Sequence, residues 1–320
     1  AMAFERVLAP SQVADLVSWL MAQRSLPTGT APAATPTRRT PPLDRPAATG
    51  FSWQLKSDRV SVLHSGRPLA DYVFQDAQIL RPHFQNLRAP SGVQITRTHP
   101  PVAGEPADHP TMHPGVWLAF GDISGQDFWR NKARIEHLKF SQEPALKDGR
   151  LTFATQNRLV AQDGTTLGTQ NSRLALARSG EHAFLLIWEA EIRGDGRELV
   201  FGDQEEMGLG IRVATKLTEK NGGLVVNSDG LSGAKVAWGK TAAWAAYSRD
   251  IDGRIQGAAL FPATSNPTPT WWHSRDYGAM VANGPIYVPG DADDVAIESY
   301  RARLEAELKD VTRRAYAAVG

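Results

Sequence analysis

Eight histidines occur in 320 residues, and two of them, His109 and His113, stand four apart in ADHPTMHPGVWLAFGD, each followed by proline. Imidazoles beside the carboxylate of Asp108 are donors of the kind that hold zinc or another divalent ion, and imidazole is also the side chain that moves protons near neutral pH. Proline turns its preceding residue away from the right-handed helical region, so His99, His109 and His113 are all disfavoured in a helix. That argues against a helical HxxxH zinc motif. Fully extended, the segment would hold His109 and His113 about 12 Å apart, too far to share one ion. A turn through Thr111 and Met112 would bring them together; otherwise they are loop histidines bonded to backbone.

A second concentration is FGDQEEMGLGIRVAT. Strand alternation puts Glu205, Met207, Leu209, Ile211 and Val213 on one face and Gln204, Glu206, Gly208, Gly210 and Arg212 on the other. The first is a core face, headed by a carboxylate that either pairs at the strand end or carries a raised pKa. The second has two glycines between a carboxylate and a guanidinium, which weakens a strand unless a ligand or another backbone comes close. It reads as a concave platform for a sugar ring, or else as a β-bulge with a structural Glu/Arg pair. The third is TWWHSRDYG, where Trp272 and its neighbour Trp271 offer stacking faces and His273, Arg275, Asp276 and Tyr277 supply hydroxyl-binding groups and a proton shuttle. WGKTAAWAAYS and FWRNK share that texture and are read as core and rim.

These groups need elements to hold them. From residue 51 to 290 the chain runs in short β-prone stretches such as GVQITRTH, RLTFATQNRLVA, AFLLIWEAEIRG, KVAWGK and PIYVPG, punctuated by Gly, Asp, Asn and Pro, which predicts a mainly β, large antiparallel β-sandwich domain. Ahead of it, Val13, Leu16, Val17, Leu20 and Met21 make one apolar stripe and predict an N-terminal helix within 1–26. Residues 27–50, with six prolines, predict a linker. Residues 291–320 predict a charged C-terminal helix with Val295, Tyr300, Leu304, Leu308 and Val311 on a broken stripe. The terminal helices are the surfaces through which a homodimer would form.

Composition excludes several classes. Lys plus Arg number 35 against 34 Asp plus Glu, with no basic run, so no nucleic-acid partner is expected. No apolar stretch approaches the roughly 18 residues of a membrane span, so no membrane partner is expected, and the start shows no basic region followed by an apolar one, which makes the cytoplasm the expected compartment. The lack of cysteine excludes disulfides, thiolate metal sites and a cysteine nucleophile.

LRAPSGVQITRTHPP, DHPTMHPGVWLAFGDISGQDFWRNKARIEH, FGDQEEMGLGIRVAT and WWHSRDYGAMVANGP together resemble a bacterial family of uncharacterised proteins known as methane oxygenase PmoA, over residues 51–289. A methane oxygenase subunit of the membrane type needs several spanning helices, so that name does not describe an activity this chain can have. The resemblance implies a sandwich of the galactose-mutarotase type and an association with sugar catabolism beside oxidoreductases that make keto-sugars. Its motif positions are Asp108, His109, His113, Glu205, Glu206, Arg212 and His273; the N-terminal helix and linker lie outside it.

The expectation that follows is a lyase on a small-molecule sugar or glycoside. A keto group acidifies the neighbouring C–H, a base removes the proton, and the group β to the carbonyl leaves through C–O or C–N cleavage. His273, His113 and Glu205 are the expected catalytic groups. Arg212, Trp272, Arg275, Tyr277 and His99 are expected to bind substrate, and His109, His113, Glu206 and Asp108 to hold a divalent metal ion. The alternatives are a sugar epimerase or mutarotase, a glycoside hydrolase, and a non-catalytic carbohydrate-binding protein.

Overall fold

A computed structural model describes residues 50–283, except 203, 205, 265, 267 and 268. The expected terminal helices, the linker up to Gly50, PIYVPG and Glu205 lie outside the described residues. The described chain is mainly β and its sheets are antiparallel, as the alternation predicts. Among the described residues no helix is long and apolar enough to cross a membrane.

The chain opens with β1 (Phe51–Leu55), β2 (Arg59–His64), β3 (Arg67–Val73), β4 (His83–Gln85) and β5 (Val116–Phe120). It then forms a separate four-stranded meander, β6 (Arg134–Lys147), β7 (Arg150–Val160), β8 (Thr166–Ser179) and β9 (Ala183–Gly194). Next come β10 (Met207–Arg212), the three-stranded sheet of β11 (Leu224–Asn227), β12 (Ala245–Ile251) and β13 (Arg254–Leu260), and finally β14 (Trp271–Ser274) and β15 (Ala279–Asn283). β10, β15 and β14 return to the first sheet and complete the order β1-β2-β3-β4-β5-β10-β15-β14. Local chemistry sets the hairpins: Asp148-Gly149 and Asp252-Gly253 join paired strands with both residues at positive φ, the requirement of a two-residue type I′ turn.

Alternation in the meander is sharp where it matters. Leu151, Phe153, Leu174 and Leu176 share one buried cluster with Val60, Tyr72, Phe84, Val116, Ile211 and Met280 of the eight-stranded sheet. The Tyr72 ring lies 5.0 Å from Phe84 and 5.1 Å from Phe153, and its hydroxyl is 3.4 Å from that of Thr155. Burying each such side chain contributes about 1.5–3 kcal/mol.

Two expectations about elements are corrected. KVAWGK is no strand: Ala234–Ala237 is a short helix, begun where a distant carboxylate, Glu219 Oε2, accepts the Ala234 N–H at 2.8 Å. GVQITRTH forms only isolated bridges, including Thr96 with Val213, which tie this stretch to the end of β10.

The register divides the eight-stranded sheet into two faces. Val116, Leu118, Met207, Ile211, Met280 and Trp272 point to the core clusters. Trp117 pairs with His83 on one side and Gly210 on the other, Gly210 with Val281, and Val281 with His273, so these residues share the opposite face. Arg212, two residues from Gly210, lies on that face as well.

Candidate functional site

Of the two conformations left open for this segment, the turn is the one present. His109 adopts φ +46, the chain turns through 110–112, and the His113 N–H donates to the His109 carbonyl at 3.1 Å. The two rings come to 5.1 Å between centroids, tilted by 31°. Buried Arg81 holds the turn from inside: it donates to the Met112 carbonyl, to the Trp129 carbonyl at 2.9 Å and to Asn131 Oδ1 at 2.8 Å. Asn131 in turn donates to the Thr111 carbonyl at 3.2 Å. His99, expected to bind substrate, uses Nδ1–H on the Pro110 carbonyl at 3.1 Å and so supports the turn from outside.

His113 swings in against the outer face of the sheet, where it is 3% exposed. It stacks on Trp117 at 5.1 Å and 14°, meets the edge of Trp129 at 5.7 Å, and faces Tyr277 at 6.4 Å and 12°. His109 stacks on Tyr277 at 5.9 Å. Tyr277 is only partly buried, so His109 and Tyr277 form the open side of the group. The Arg212 guanidinium sits 4.5 Å over the Tyr277 ring, and its Nη2 reaches Asp108 Oδ1 at 3.0 Å and Oδ2 at 2.8 Å. Arg97, bound through its backbone N–H to the Arg212 carbonyl, sends Nη1 to the Asp108 carbonyl at 2.6 Å.

The electrostatics follow from burial. Burial lowers the His113 pKa to about 2, with the charges of Arg212, His109, Arg81 and His273 acting in the same direction. Burial and then Arg275 lower that of His273 to about 3, and burial lowers that of His83 to about 4. Burial pushes the Asp108 carboxyl up, but the hydrogen bond and charge of Arg212 outweigh it and hold the group below its ordinary value. For Tyr277, burial raises the phenol against the opposing charges of Arg212 and Arg275. The face is therefore one of neutral imidazoles and charged guanidiniums at pH 7.

Many of its buried polar atoms have no hydrogen-bond partner among the described residues: His83 Nε2, Arg97 Nε and Nη2, His113 Nδ1, Trp117 Nε1, Trp129 Nε1 and Arg212 Nη1. Each such group costs on the order of 1–3 kcal/mol when left unpaired, so their concentration on one face marks a place built to receive polar atoms. By contrast, a cavity of about 1260 Å³ on the core face of the same sheet is lined by Val116, Leu118, Leu186, Trp188, Leu209 and Leu260 among others, and its walls are mostly apolar. The unpaired polar groups, not the cavity's size, identify the candidate site.

Several expected residues fall elsewhere. The glycine-cleared face is not an open platform: a Cβ at Gly210 would lie 2.4 Å from the Trp117 ring, so the space belongs to that indole. Trp272 is a core residue, 1% exposed, donating Nε1–H to the Ala242 carbonyl at 2.9 Å, because its strand position faces inward. Glu206 precedes β10 and pairs with Arg130. Since Met207 pairs with Phe120 and Ile211 with Val116, Glu206 stands at the far end of the strand pair from Arg212, about 20 Å along the chain at strand rise. It cannot join His109, His113 and Asp108 around one ion, and among the described residues no group of three His, Asp or Glu is gathered for a metal. Arg275 lies 5.5 Å over the Trp238 ring and also acts on Tyr277. His273 lies on the same outer face as Val281 and Trp117, and Tyr277 lies against His113.

Sequence reasoning missed Arg81, His83, Arg97, Trp117 and Trp129. The signal for Arg97 was its place in the apolar run VQITR, and for Trp117 its pairing opposite a glycine, both visible only once strand neighbours are known.

In comparison with known protein families, residues 59–316 match the model of DUF6807, a family of unknown function. No curated protein and no solved structure matches the chain.

Proposed function

The chain belongs to the DUF6807 family, and on that premise we propose that it is a carbohydrate-active lyase working at the outer face of the eight-stranded sheet. The observation that carries this reading is His113: a neutral, buried imidazole with an unpartnered Nδ1, stacked between Trp117 and Tyr277 and set beside the Arg212 guanidinium. The facing sheets and their shared apolar cluster support the expected β-sandwich of galactose-mutarotase type.

In this reading a keto-sugar ring lies against Tyr277 and His109. His113 Nδ1 takes the proton from the carbon next to the keto group, and the electron pair moves onto the oxygen as an enolate that accepts an N–H from Arg212 Nη1. When the carbonyl re-forms, a double bond forms between the neighbouring carbon and the β carbon, the bond to the β substituent breaks, and the leaving oxygen or nitrogen takes a proton from the Tyr277 hydroxyl. His113 then returns its proton through solvent and the phenol is restored. Burial and the guanidiniums that keep His113 unprotonated also weaken it as a base; negative charge developing beside Arg212 works in the opposite direction. A divalent ion, in this reading, would take His109 and Asp108 at the mouth as its donors, and metal analysis of the wild type against His109→Ala tests that.

The reaction is tested with a 3-keto-glucoside in deuterium oxide. Release of the aglycone is expected, with deuterium entering next to the carbonyl of substrate not yet cleaved as the enolate takes a deuteron back, and His113→Gln should slow both by about a hundredfold or more. Deuterium entry without release would favour the epimerase. Full activity in His113→Gln would end the proposal.

A further inference from the structure

Arg97 and Arg212 are each 3% exposed, and they leave neighbouring extended segments joined by the Thr96–Val213 bridge and the Arg97 N–H to Arg212 carbonyl bond. Two buried positive charges therefore share one region, and each disfavours the other, as the lowered pKa of Arg97 reflects after burial itself. The carboxylate in contact with them is Asp108, which gives both its oxygens to Arg212 and only its main-chain carbonyl to Arg97. Glu105 acts on Arg97 through its charge, and no hydrogen bond joins them among the described residues. His113 and His273 are neutral at pH 7, and the further cation Lys220 lies 5.9 Å from the Tyr277 ring. A buried positive charge with unfilled donors is costly until an anion reaches it.

The shape of the unfilled donors is specific. On Arg97 the atoms without a partner are Nε and Nη2, which form one edge of the guanidinium plane, and on Arg212 the atom is Nη1. The Nε/Nη2 edge presents two parallel N–H groups, the arrangement that binds both oxygens of a planar carboxylate. We propose that Arg97 and Arg212 form a carboxylate clamp, and that the sugar this site takes is a sugar acid, a uronate or a related carboxylated ring. This rests on the site assignment of the proposed function but not on its reaction. It gives the substrate a charged anchor at the Arg97 edge, beside the Arg212 Nη1 that also serves the enolate through its other N–H, and it places a negative charge where it offsets the repulsion acting on the neighbouring histidines.

The test is calorimetric titration of the full chain at low salt with glucuronate, glucose, glucose 6-phosphate and inorganic phosphate. Glucuronate is expected to bind at least about tenfold tighter than glucose, the range of a charge-assisted hydrogen-bonded pair. Arg97→Gln should abolish that difference, and Arg97→Lys should fail to restore it, because an ammonium keeps the charge without the fork. Arg212→Gln serves if the thermal melt shows that Arg97→Gln does not fold. Equal affinity for glucuronate and glucose, no detectable glucuronate binding, or an unchanged ratio in folded Arg97→Gln overturns the clamp. Tighter binding of glucose 6-phosphate or of inorganic phosphate than of glucuronate overturns the carboxylate assignment. If glucuronate binds through Arg97 while no keto-glycoside, charged or neutral, is turned over, the clamp stands and the lyase reading falls. If a neutral 3-keto-glucoside is turned over as fast as its uronate, the lyase reading stands and the clamp falls.

Discussion

At the scale of single residues, the two glycines and two tryptophans that first suggested a sugar platform separate into different jobs. Gly210 is small because Trp117 occupies the space above it, so Gly210→Val should force the indole out of place and cost about 1–3 kcal/mol, read as a lower urea midpoint. The stack on His113 would loosen with it, and activity should fall in the same variant. Trp272 gives the opposite pattern. Its side chain is enclosed by the core and hydrogen-bonded to Ala242, so Trp272→Phe should lower stability through the lost bond and packing while KM changes less than twofold. A large rise in KM with stability intact would return Trp272 to the substrate.

At the scale of elements, the histidine turn is held by side chains from outside its own segment, and Asn131 is the most economical of them. Its Oδ1 accepts from the Leu80 N–H at 3.0 Å and from Arg81 at 2.8 Å, while its Nδ2 reaches the Thr111 carbonyl. Asn131→Gly suits the native φ of +57 and removes all three bonds, so it should raise amide exchange at residues 110–113 and slow catalysis without unfolding the sheet. Unchanged exchange at His113 would show that Arg81 and His99 fix the turn without Asn131. Part of this element was legible beforehand: proline chemistry around His109 and His113 argued against a helix and left an extended run or a turn through Thr111 and Met112, and alternation put Met207 and Ile211 inward with Arg212 outward. What could not be read was the third dimension. A strand that is polar on both sides carries no period, which hides β6, where most of Arg134–Lys147 is solvent-facing. The helix at Ala234 depends on a carboxylate fifteen residues away, and Arg81 and Arg97, charged residues that usually lie at the surface, are buried because the turn and Asp108 need their donors.

At the scale of the whole molecule, the buried neutral histidines make stability depend on pH in a predictable direction. His83, His113 and His273 all have folded pKa values below the ordinary 6.5. Each therefore takes up a proton more readily in the unfolded chain, so stability is full above about pH 6.5 and is lost as pH falls toward the folded values. For His83 the fall from 6.5 to about 4 corresponds to about 3 kcal/mol across that interval. The carboxylates act later: Asp108 and Glu136 are held below their ordinary values by Arg212 and by Arg158 with Arg134, so their contribution is lost only below about pH 4. With 35 basic against 34 acidic residues, net charge near neutrality adds little self-repulsion to confuse the two windows. Urea unfolding at pH 7.5, 6.0 and 4.5 should show the midpoint falling steadily, with His83→Gln shallower than wild type because one of the three titrations is gone. A midpoint that holds constant down to pH 4.5 would mean that these imidazoles are solvated in the folded protein, and the neutral base assigned to His113 would lose its physical footing with them.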